Sequence, residues 1–312
     1  MTASRVSRPK FPAPKTNMCF QGYARCCELA SLMTMEWWQA LILGVVQGLT
    51  EFFPISSSGH LELVPWLFGW GDLGGEAVGT AFDASLHLGT LAAVVFATRR
   101  QLWSLMREGV KYPFAARSER ATQATGRLAW LYVLTAVPAA VVGALFDDVI
   151  SEALGGPVIV AFSLIVFGAV LWWADRRSGA RSATDLGVRD AWLIGAAQVL
   201  ALNPGTSRSG ITISAMRALG FARTEAVQMS FVIGVPIIAG AGVWKTVGLI
   251  VDGLPDGLGQ AMVIGITAAA VTGWLAINAL QRLAARSNFN AFVVYRVVLA
   301  LVVLNLALTG LR

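Results

Sequence analysis

Long runs of apolar residues recur along the chain, and short polar segments separate them. A helix needs about 20 mostly apolar residues to cross the hydrocarbon core of a bilayer. Six runs approach that length: Phe82–Thr98, Leu128–Phe146, Val158–Ala174, Ala226–Lys245, Ala261–Leu280 and Ala291–Gly310. The pattern predicts an all-α integral membrane protein with about six transmembrane helices.

Two further apolar stretches are interrupted near their middle. In both Trp37–Trp70 and Ala191–Leu219, a first apolar segment leads into proline, serine and glycine, and a second apolar segment follows. Non-helical backbone at membrane depth is tolerated only where protein or a water-filled cavity surrounds it. We therefore expect two re-entrant helix-loop-helix hairpins.

The two interrupted stretches resemble each other in sequence. When GVVQGLTEFFPISSSG (44–59) is shifted by 151 residues, it overlays GAAQVLALNPGTSRSG (195–210) with six identities. Downstream, SLHLG (85–89) resembles SFVIG (230–234), and each opens an apolar run. The pattern predicts one membrane domain over 35–312 with inverted repeats at about 35–146 and 191–280, flanked by further helices. Such folds bring broken, polar helices together near the membrane midplane.

The composition agrees with a membrane protein, and the distribution of its positive charge indicates the kind of partner that the chain binds. The chain of 312 residues is 56% hydrophobic and 13% charged, whereas soluble domains carry about 25% charged residues. The net charge of +6 could serve nucleic acid or an anionic bilayer surface. Because most charges lie in short loops between apolar runs, we expect membrane lipids as partners and no nucleic acid.

The basic residues also orient the chain. Seven Lys and Arg lie between Arg99 and Arg127, and four lie between Asp175 and Asp190. The loops 147–157 and 248–260 contain acidic residues and no basic ones. By the positive-inside rule the first two loops are cytoplasmic. The first hairpin then enters from the outer side and the second from the cytoplasm.

The first 34 residues differ in composition from the rest of the chain. They are rich in Arg, Lys and Pro, contain all three cysteines and lack the long apolar stretch of a secretion signal. Two interpretations are open: a disordered basic extension, or a translation start placed upstream of the true one at Met33 or Met35.

Both hairpin tips carry polar residues, which are costly in a membrane and mark functional sites by default. The first tip offers Glu51, Ser56, Ser57, Ser58 and His60, and the second offers Asn203, Thr206, Ser207, Arg208 and Ser209. Glycines and hydroxyls at a turn that opens into a helix expose backbone N–H groups that suit a phosphate. Arg208 adds a planar guanidinium that can hold two phosphate oxygens.

The charges at these tips predict a metal ion. Glu51 is negative, Arg208 is the main cation, and a diphosphate adds about two or three negative charges, which one guanidinium cannot neutralise at low dielectric. A divalent cation that bridges Glu51 and phosphate oxygens supplies the missing charge, because hard cations take oxygen ligands. A serine or the imidazole of His60 is then the candidate nucleophile. Gln47 lies one helical turn before Glu51 and shares its helix face.

Each of these residues also has a purely structural interpretation. The serine run can cap a helix, His60 can be a hydrogen-bonded structural group, and Arg208 can pair with Glu51 only to stabilise the fold. Asp83 and His87, four residues apart, could be supporting partners of the site residues, but the start of a helix explains Asp83 equally well. His87 stays unassigned.

The paired motifs resemble those of the undecaprenyl-diphosphatase family, whose members are also called bacitracin-resistance proteins. The segments GVVQGLTEFFPISSSGH (44–60) and LALNPGTSRSGITIS (200–214) carry the resemblance, which extends over about 35–312. The family's first motif, Glu or Gln followed four residues later by Glu, falls on Gln47 and Glu51. Gln47 stands where many relatives have Glu, and Ser58 stands where Thr is frequent.

The resemblance implies an inner-membrane enzyme that removes the terminal phosphate of undecaprenyl diphosphate and so recycles the lipid carrier for peptidoglycan synthesis. It also implies a divalent cation, Mg²⁺ or Ca²⁺, and an active site that opens to the periplasm. Glu51 is then the metal ligand or base, Ser57 the nucleophile and His60 the general acid, with the reverse assignment of Ser57 and His60 open. Arg208 holds the diphosphate, and the remaining substrate-binding residues are Gln47, Ser56, Ser58, Gly205, Thr206, Ser207 and Ser209.

Two functions from other classes stay open. Inverted repeats with broken helices are typical of transporters, so the chain could be a flippase for prenyl phosphates, alone or combined with the phosphatase. A flippase needs Arg208 for its headgroup but needs no nucleophile. The hairpins could instead form a pore, although a pore explains neither the Ser and His residues nor their one-sided placement. A homodimer is a further open expectation.

Overall fold

The computed structural model describes residues 35–70, 76–116, 123–252 and 258–311, and these ranges contain helices and loops with one isolated β-bridge. The α-helices described are α1 (Trp37–Phe52), α2 (Ser57–Phe68), α3 (Glu76–Lys111), α4 (Ala124–Leu154), α5 (Pro157–Asp175), α6 (Val188–Val199), α7 (Arg208–Ala218), α8 (Arg223–Asp252), α9 (Leu258–Arg286) and α10 (Asn290–Leu308). The predicted all-α class is confirmed. The extension predicted for residues 1–34 lies outside the described residues.

Five helices in the described part of the chain are long and apolar enough to cross a membrane. These spans are Ala81–Phe114, Ala124–Phe146, Pro157–Asp175, Leu258–Arg286 and Asn290–Leu308. They correspond to five of the six predicted spans. The sixth, Ala226–Lys245, lies in α8, which is a helix of 30 residues but is not among these five.

Both interrupted stretches form helix-break-helix units. In the first, the break between α1 and α2 covers residues 53–56. In the second, a 3₁₀ turn at Leu200–Leu202 follows α6, and α7 begins after residues 203–207. The two helices of each unit pack against each other. Their re-entry into a membrane and the inverted repeats stay predictions.

Small residues bring α1 into direct contact with the spanning helix α9. Gly44 faces the carbonyl oxygen of Gly265, and Gly48 faces the hydroxyl of Thr272, each so closely that a Cβ would overlap these atoms. Gly89 of α3 lies against the backbone of the same helix. Glycine permits this approach between helices whose association depends on van der Waals contact. The C-terminal end of α1, which carries Glu51, is therefore fixed by α9.

A buried carboxylate connects several helix ends at the end of the molecule where the basic loop between Asp175 and Asp190 lies, which we call the basic end. Asp175, the last residue of α5, accepts from Arg223 Nε at 2.6 Å and from the backbone N–H of Phe289 at 3.0 Å. Arg217, near the end of α7, donates to the carbonyl of Phe221 at 2.7 Å and to that of Asp175 at 3.2 Å. These bonds hold α5, α7, α8 and α10 together at one end, well away along α7 from the turn before Arg208.

Candidate active site

The first interrupted stretch places Glu51 and Ser57 on either side of a tight turn. α1 carries Gln47 and Glu51 one helical turn apart, and both are buried. The backbone turns at Ser56, which has φ 78° and ψ 101°, and α2 begins at Ser57. A positive φ is uncommon for a residue other than glycine. Ser56 is held in this conformation by its own side chain, whose Oγ accepts from Gly59 N at 3.3 Å.

The second interrupted stretch has the same turn. Ser207 has φ 75° and ψ 111°, its Oγ accepts from Gly210 N at 3.1 Å, and α7 begins at Arg208. Ser207 Oγ also lies 3.2 Å from Ser209 Oγ, and the first turn has the equivalent contact. Within the described ranges, Ser56 and Ser207 are the non-glycine residues with positive φ. The two motifs that overlay in sequence therefore share one backbone conformation.

The two turns touch each other through hydrogen bonds. Gly205 N donates to Ser56 Oγ at 3.1 Å, and Ser209 Oγ donates to the carbonyl of Phe53 at 3.1 Å. Glycine is needed at position 205, because its φ is 90° and a Cβ there would lie 2.6 Å from the carbonyl oxygen of Val160. Ser56 Oγ thus accepts N–H groups from both halves of the chain.

Glu51 is the centre of the polar network that joins the two turns. Its side chain is 6% exposed, and its Oε1 accepts from Arg208 Nη2 at 2.7 Å. Its Oε2 accepts from Ser57 Oγ at 2.7 Å and from Gln47 Nε2 at 3.1 Å. A carboxylate that accepts the hydrogen bond of a hydroxyl can take its proton when the oxygen acts as a nucleophile. The geometry pairs Ser57 with Glu51.

The guanidinium of Arg208 is fixed from two sides. Besides the bond to Glu51, its Nη1 donates to the carbonyl of Ser230 at 3.1 Å. The group lies against Gly234 of α8, where a Cβ would overlap it. The Arg208 side chain is 11% exposed. It is therefore held in place at the network while part of its surface stays accessible.

The other predicted substrate-binding residues divide into an accessible and a buried group. Ser57 is half-buried and Ser58 is exposed. The buried members are Gln47, Ser56, Gly205, Thr206, Ser207 and Ser209. Asn203, also named at the second tip, donates to Thr206 Oγ1 at 3.2 Å. The structure brings all of them to the two turns, and direct contact between the buried ones and a phosphate stays a prediction.

His60 is buried beside the first turn, and both of its ring nitrogens have partners. Nδ1 lies 2.6 Å from the carbonyl oxygen of Ser56, and Nε2 lies 2.7 Å from Tyr295 Oη. A carbonyl only accepts, so Nδ1 donates and the neutral ring accepts the tyrosine hydroxyl at Nε2. The His60 and Tyr295 rings also stack, with centroids 5.6 Å apart.

The region that builds these turns also matches a known protein family. Residues 40–302 match the family model described as bacitracin resistance protein BacA. The chain belongs to this family. Similar proteins include the undecaprenyl-diphosphatases of Thermomicrobium roseum (44% identical; 86% of this chain and 98% of that protein), Elusimicrobium minutum (42%; 86% and 97%) and Alcanivorax borkumensis (44%; 86% and 98%). The resemblance inferred from the two motifs is confirmed.

In this member of the bacitracin resistance protein family, two neighbouring residues of α10 also contact the turns, and neither was predicted from the sequence. Tyr295 bonds to His60, and Arg296 is fully buried. Arg296 donates to the carbonyls of Pro54 (3.1 Å), Gly205 (2.8 Å) and Thr206 (3.1 Å), and to those of Ser163 (3.4 Å) and Leu164 (3.0 Å) in α5. One cation thus binds backbone in both turns. An arginine inside a predicted span was the available signal, since ionisable residues inside membranes are functional by default.

The residues around Glu51 fit an open cation site better than a closed one. The described ranges contain no group of three or more His, Cys, Asp or Glu side chains that could hold a metal ion. Beside Glu51, however, Gln47 Oε1 is buried and has no hydrogen-bond partner. Hard divalent cations take carboxylate and amide oxygens and can complete their shell with phosphate oxygens and water. Glu51 and Gln47 therefore fit a cation that shares its ligands with a phosphate.

Proposed function

We propose that the chain hydrolyses undecaprenyl diphosphate to undecaprenyl phosphate and inorganic phosphate, which recycles the lipid carrier of peptidoglycan synthesis and gives bacitracin resistance. Relatives named undecaprenyl-diphosphatase support the substrate, and the family description supports the link to bacitracin. The observation that carries the proposal is the hydrogen-bonded network of Ser57, Glu51 and Arg208. It joins a candidate nucleophile and base from one turn to a phosphate-binding cation from the other.

In the proposed reaction Ser57 Oγ attacks the terminal phosphorus atom, and Glu51 Oε2 accepts the hydroxyl proton. The bond from phosphorus to the bridging oxygen breaks, and the lipid monophosphate leaves. Glu51 then releases the proton that it took from Ser57 to solvent. Water attacks the phosphoserine and gives a proton to Glu51, the bond from phosphorus to Ser57 Oγ breaks, and Glu51 returns this proton to Ser57 Oγ as inorganic phosphate leaves. The serine hydroxyl and the Glu51 carboxylate are restored, and the net reaction consumes one water molecule.

Arg208 binds the phosphate during these steps. A guanidinium has about five N–H donors, and the bonds to Glu51 and Ser230 leave others for phosphate oxygens. The N-termini of α2 and α7 add backbone N–H groups and a favourable dipole for an anion. Ser57 and Arg208 are each the first residue of these helices, so the dipoles act where the phosphate must lie.

The geometry favours Ser57 over His60 as the nucleophile. The Ser57 hydroxyl already donates to a carboxylate that can take its proton, whereas Nδ1 of His60 donates to Ser56 and Nε2 accepts from Tyr295. His60 is instead proposed as the general acid through Tyr295: in its protonated form Nε2 would donate to the tyrosine oxygen, and the tyrosine would pass its own hydroxyl proton to the leaving group. This assigns both residues to protonation of the leaving lipid phosphate.

A divalent cation, Mg²⁺ or Ca²⁺, is part of the proposal. Glu51 and the unpaired amide oxygen of Gln47 would hold it. When bound, such an ion neutralises charge on the phosphate oxygens that one guanidinium cannot balance.

We also propose that the protein lies in the inner membrane with the site open to the periplasm. The helices that can span a membrane support membrane insertion, and the basic loops support cytoplasmic placement of the opposite end. A homodimer is not required, because one chain supplies both turns of the site.

Phosphate release from undecaprenyl diphosphate in detergent tests the proposal. Wild type, Ser57→Ala and a matched Ser287→Ala control at an exposed position are assayed with and without chelator. We expect cation-dependent release that Ser287→Ala keeps and Ser57→Ala loses by about 100-fold or more. No release from folded wild type with any divalent ion would refute the phosphatase and favour the flippase.

A further inference from the structure

His87 lies beside Glu51 and has no role in the reaction described above. Its side chain, on α3, is 28% exposed, whereas that of Glu51 is 6% exposed. His87 Nε2 is 3.9 Å from Glu51 Oε2, the same oxygen that accepts the Ser57 hydroxyl. This distance is too long for a hydrogen bond. The two side chains are therefore neighbours without a direct hydrogen bond.

The other nitrogen of His87 sets the orientation of the ring. Nδ1 lies 3.0 Å from the backbone carbonyl oxygen of Asp83, and because a carbonyl only accepts, Nδ1 carries the hydrogen. In the neutral ring the lone pair then lies on Nε2, on the side of Glu51. Metal-binding histidines commonly have this arrangement, with the second N–H held by a backbone carbonyl or a carboxylate.

The separation of His87 Nε2 and Glu51 Oε2 matches that of two ligands of one ion. Metal–nitrogen and metal–oxygen bonds of about 2.0–2.2 Å place two ligand atoms roughly 3 Å apart at a right angle and about 4.2 Å apart when opposite. The observed 3.9 Å lies inside this range. Gln47 offers a further oxygen beside Glu51, because its buried Oε1 has no partner while its Nε2 donates to Glu51.

We propose that His87 is a nitrogen ligand of the divalent cation at this site, together with Glu51 and the amide oxygen of Gln47. The inference rests on the proposed function in one respect, that a cation binds beside Glu51. Oxygen ligands alone suit Mg²⁺ and Ca²⁺, whereas an imidazole suits transition-metal ions. His87 thereby determines which cations the site binds most tightly.

Bound Mn²⁺ can report whether a histidine nitrogen is its ligand. The chain has two histidines, so the full-length protein, purified in detergent without a polyhistidine tag, is loaded with Mn²⁺ and measured by electron spin-echo modulation. The comparison includes His87→Gln and His60→Gln. We expect an imidazole nitrogen coupling in wild type and in His60→Gln, its loss in His87→Gln, and a Mn²⁺ Kd weakened by about 10- to 100-fold in that variant. His60→Gln is the matched control, because both ring nitrogens of His60 have other partners.

Three results would overturn the inference: bound Mn²⁺ without nitrogen coupling in wild type, coupling that persists in His87→Gln, or no Mn²⁺ binding. The spectra of wild type and His60→Gln decide the matter even if His87→Gln does not fold. Phosphate release from the same preparations separates the two proposals. Phosphate release without nitrogen coupling would refute His87 as a ligand and keep the phosphatase. Nitrogen coupling without phosphate release would keep His87 as a ligand and refute the phosphatase.

Discussion

Arg296 offers a direct test of how the two halves of the site are held together. Its buried guanidinium donates to the carbonyl of Pro54 in the first turn and to those of Gly205 and Thr206 in the second, as well as to two carbonyls of α5. Arg296→Lys keeps the positive charge but changes the number and spread of the donors. We predict that it lowers kcat/KM by about 100-fold.

The magnitude follows from the number of donors. Arg296 makes five bonds to carbonyl oxygens, and an ammonium has about three N–H donors on a flexible stem. A single ammonium nitrogen cannot reach the carbonyls that three separate guanidinium nitrogens contact, so at least one buried carbonyl of the turns loses its donor, at about 1–3 kcal/mol. This loss lets the turns shift against each other. A misplacement of about 1 Å costs about 100-fold in rate, which corresponds to about 2.7 kcal/mol.

Arg217→Lys is the matched control for this experiment. Arg217 is also buried and donates to the carbonyls of Phe221, Asp175 and Arg177, but at the basic end of the helices. Both variants are assayed for phosphate release and for thermal stability in the same detergent. We expect both to lose stability and Arg296→Lys alone to lose most of its activity. Retention of more than about a third of wild-type kcat/KM, a cost below about 0.7 kcal/mol, would show that Arg296 does not position the turns.

Three further substitutions test other parts of the site. Glu51→Gln cannot take the Ser57 proton, so kcat should fall by about 10²- to 10⁴-fold in a protein that still folds, and normal turnover would exclude Glu51 as the base. Tyr295→Phe removes the hydroxyl that bonds to His60, and we expect a kcat about tenfold lower with KM unchanged; an unchanged kcat would leave this pair a structural role. Gly48→Ala adds a Cβ that overlaps α9, and it should cost about 1–3 kcal/mol of stability in thermal denaturation. Gly259→Ala, where a Cβ meets nothing within 4 Å, should be neutral, and equal behaviour of the two glycine variants would contradict the packing argument.

The site residues that can be predicted from the sequence are those that lie within the two motifs, 44–60 and 200–214. Because the motifs overlay and each is interrupted inside an apolar stretch, the expectation that their tips form one polar site follows from sequence. From the sequence, a pairing of Glu51 with Arg208 is a structural alternative to a catalytic role. The structure shows this pairing at Glu51 Oε1, and the Ser57 hydroxyl donates to the other carboxylate oxygen, Oε2. Glu51 can therefore stabilise the fold through Arg208 and also act on Ser57.

The contribution of α10 could not be predicted in the same way. Tyr295 and His60 are 235 positions apart, and nothing in either local pattern indicates that they meet. Their contact depends on how α10 packs on α5, beside both turns. The position of Arg296 inside an apolar run marked it as costly in a membrane, but only the fold shows that its partners are carbonyls of the two turns.

The two strained serines explain why the proposed nucleophile and the proposed phosphate-binding cation come from equivalent positions. A residue with positive φ costs about 1–2 kcal/mol unless it is glycine. Glycine would remove that cost at Ser56 and Ser207, but it would also remove the hydroxyls that cap α2 and α7 and, at Ser56, the acceptor for the opposite turn. The strained turn therefore starts each helix at a fixed point, and the next residue is its first residue, Ser57 in one half and Arg208 in the other. Both are anchored to Glu51, so two turns of the same conformation present the proposed attacking hydroxyl and the proposed phosphate-binding group to one site.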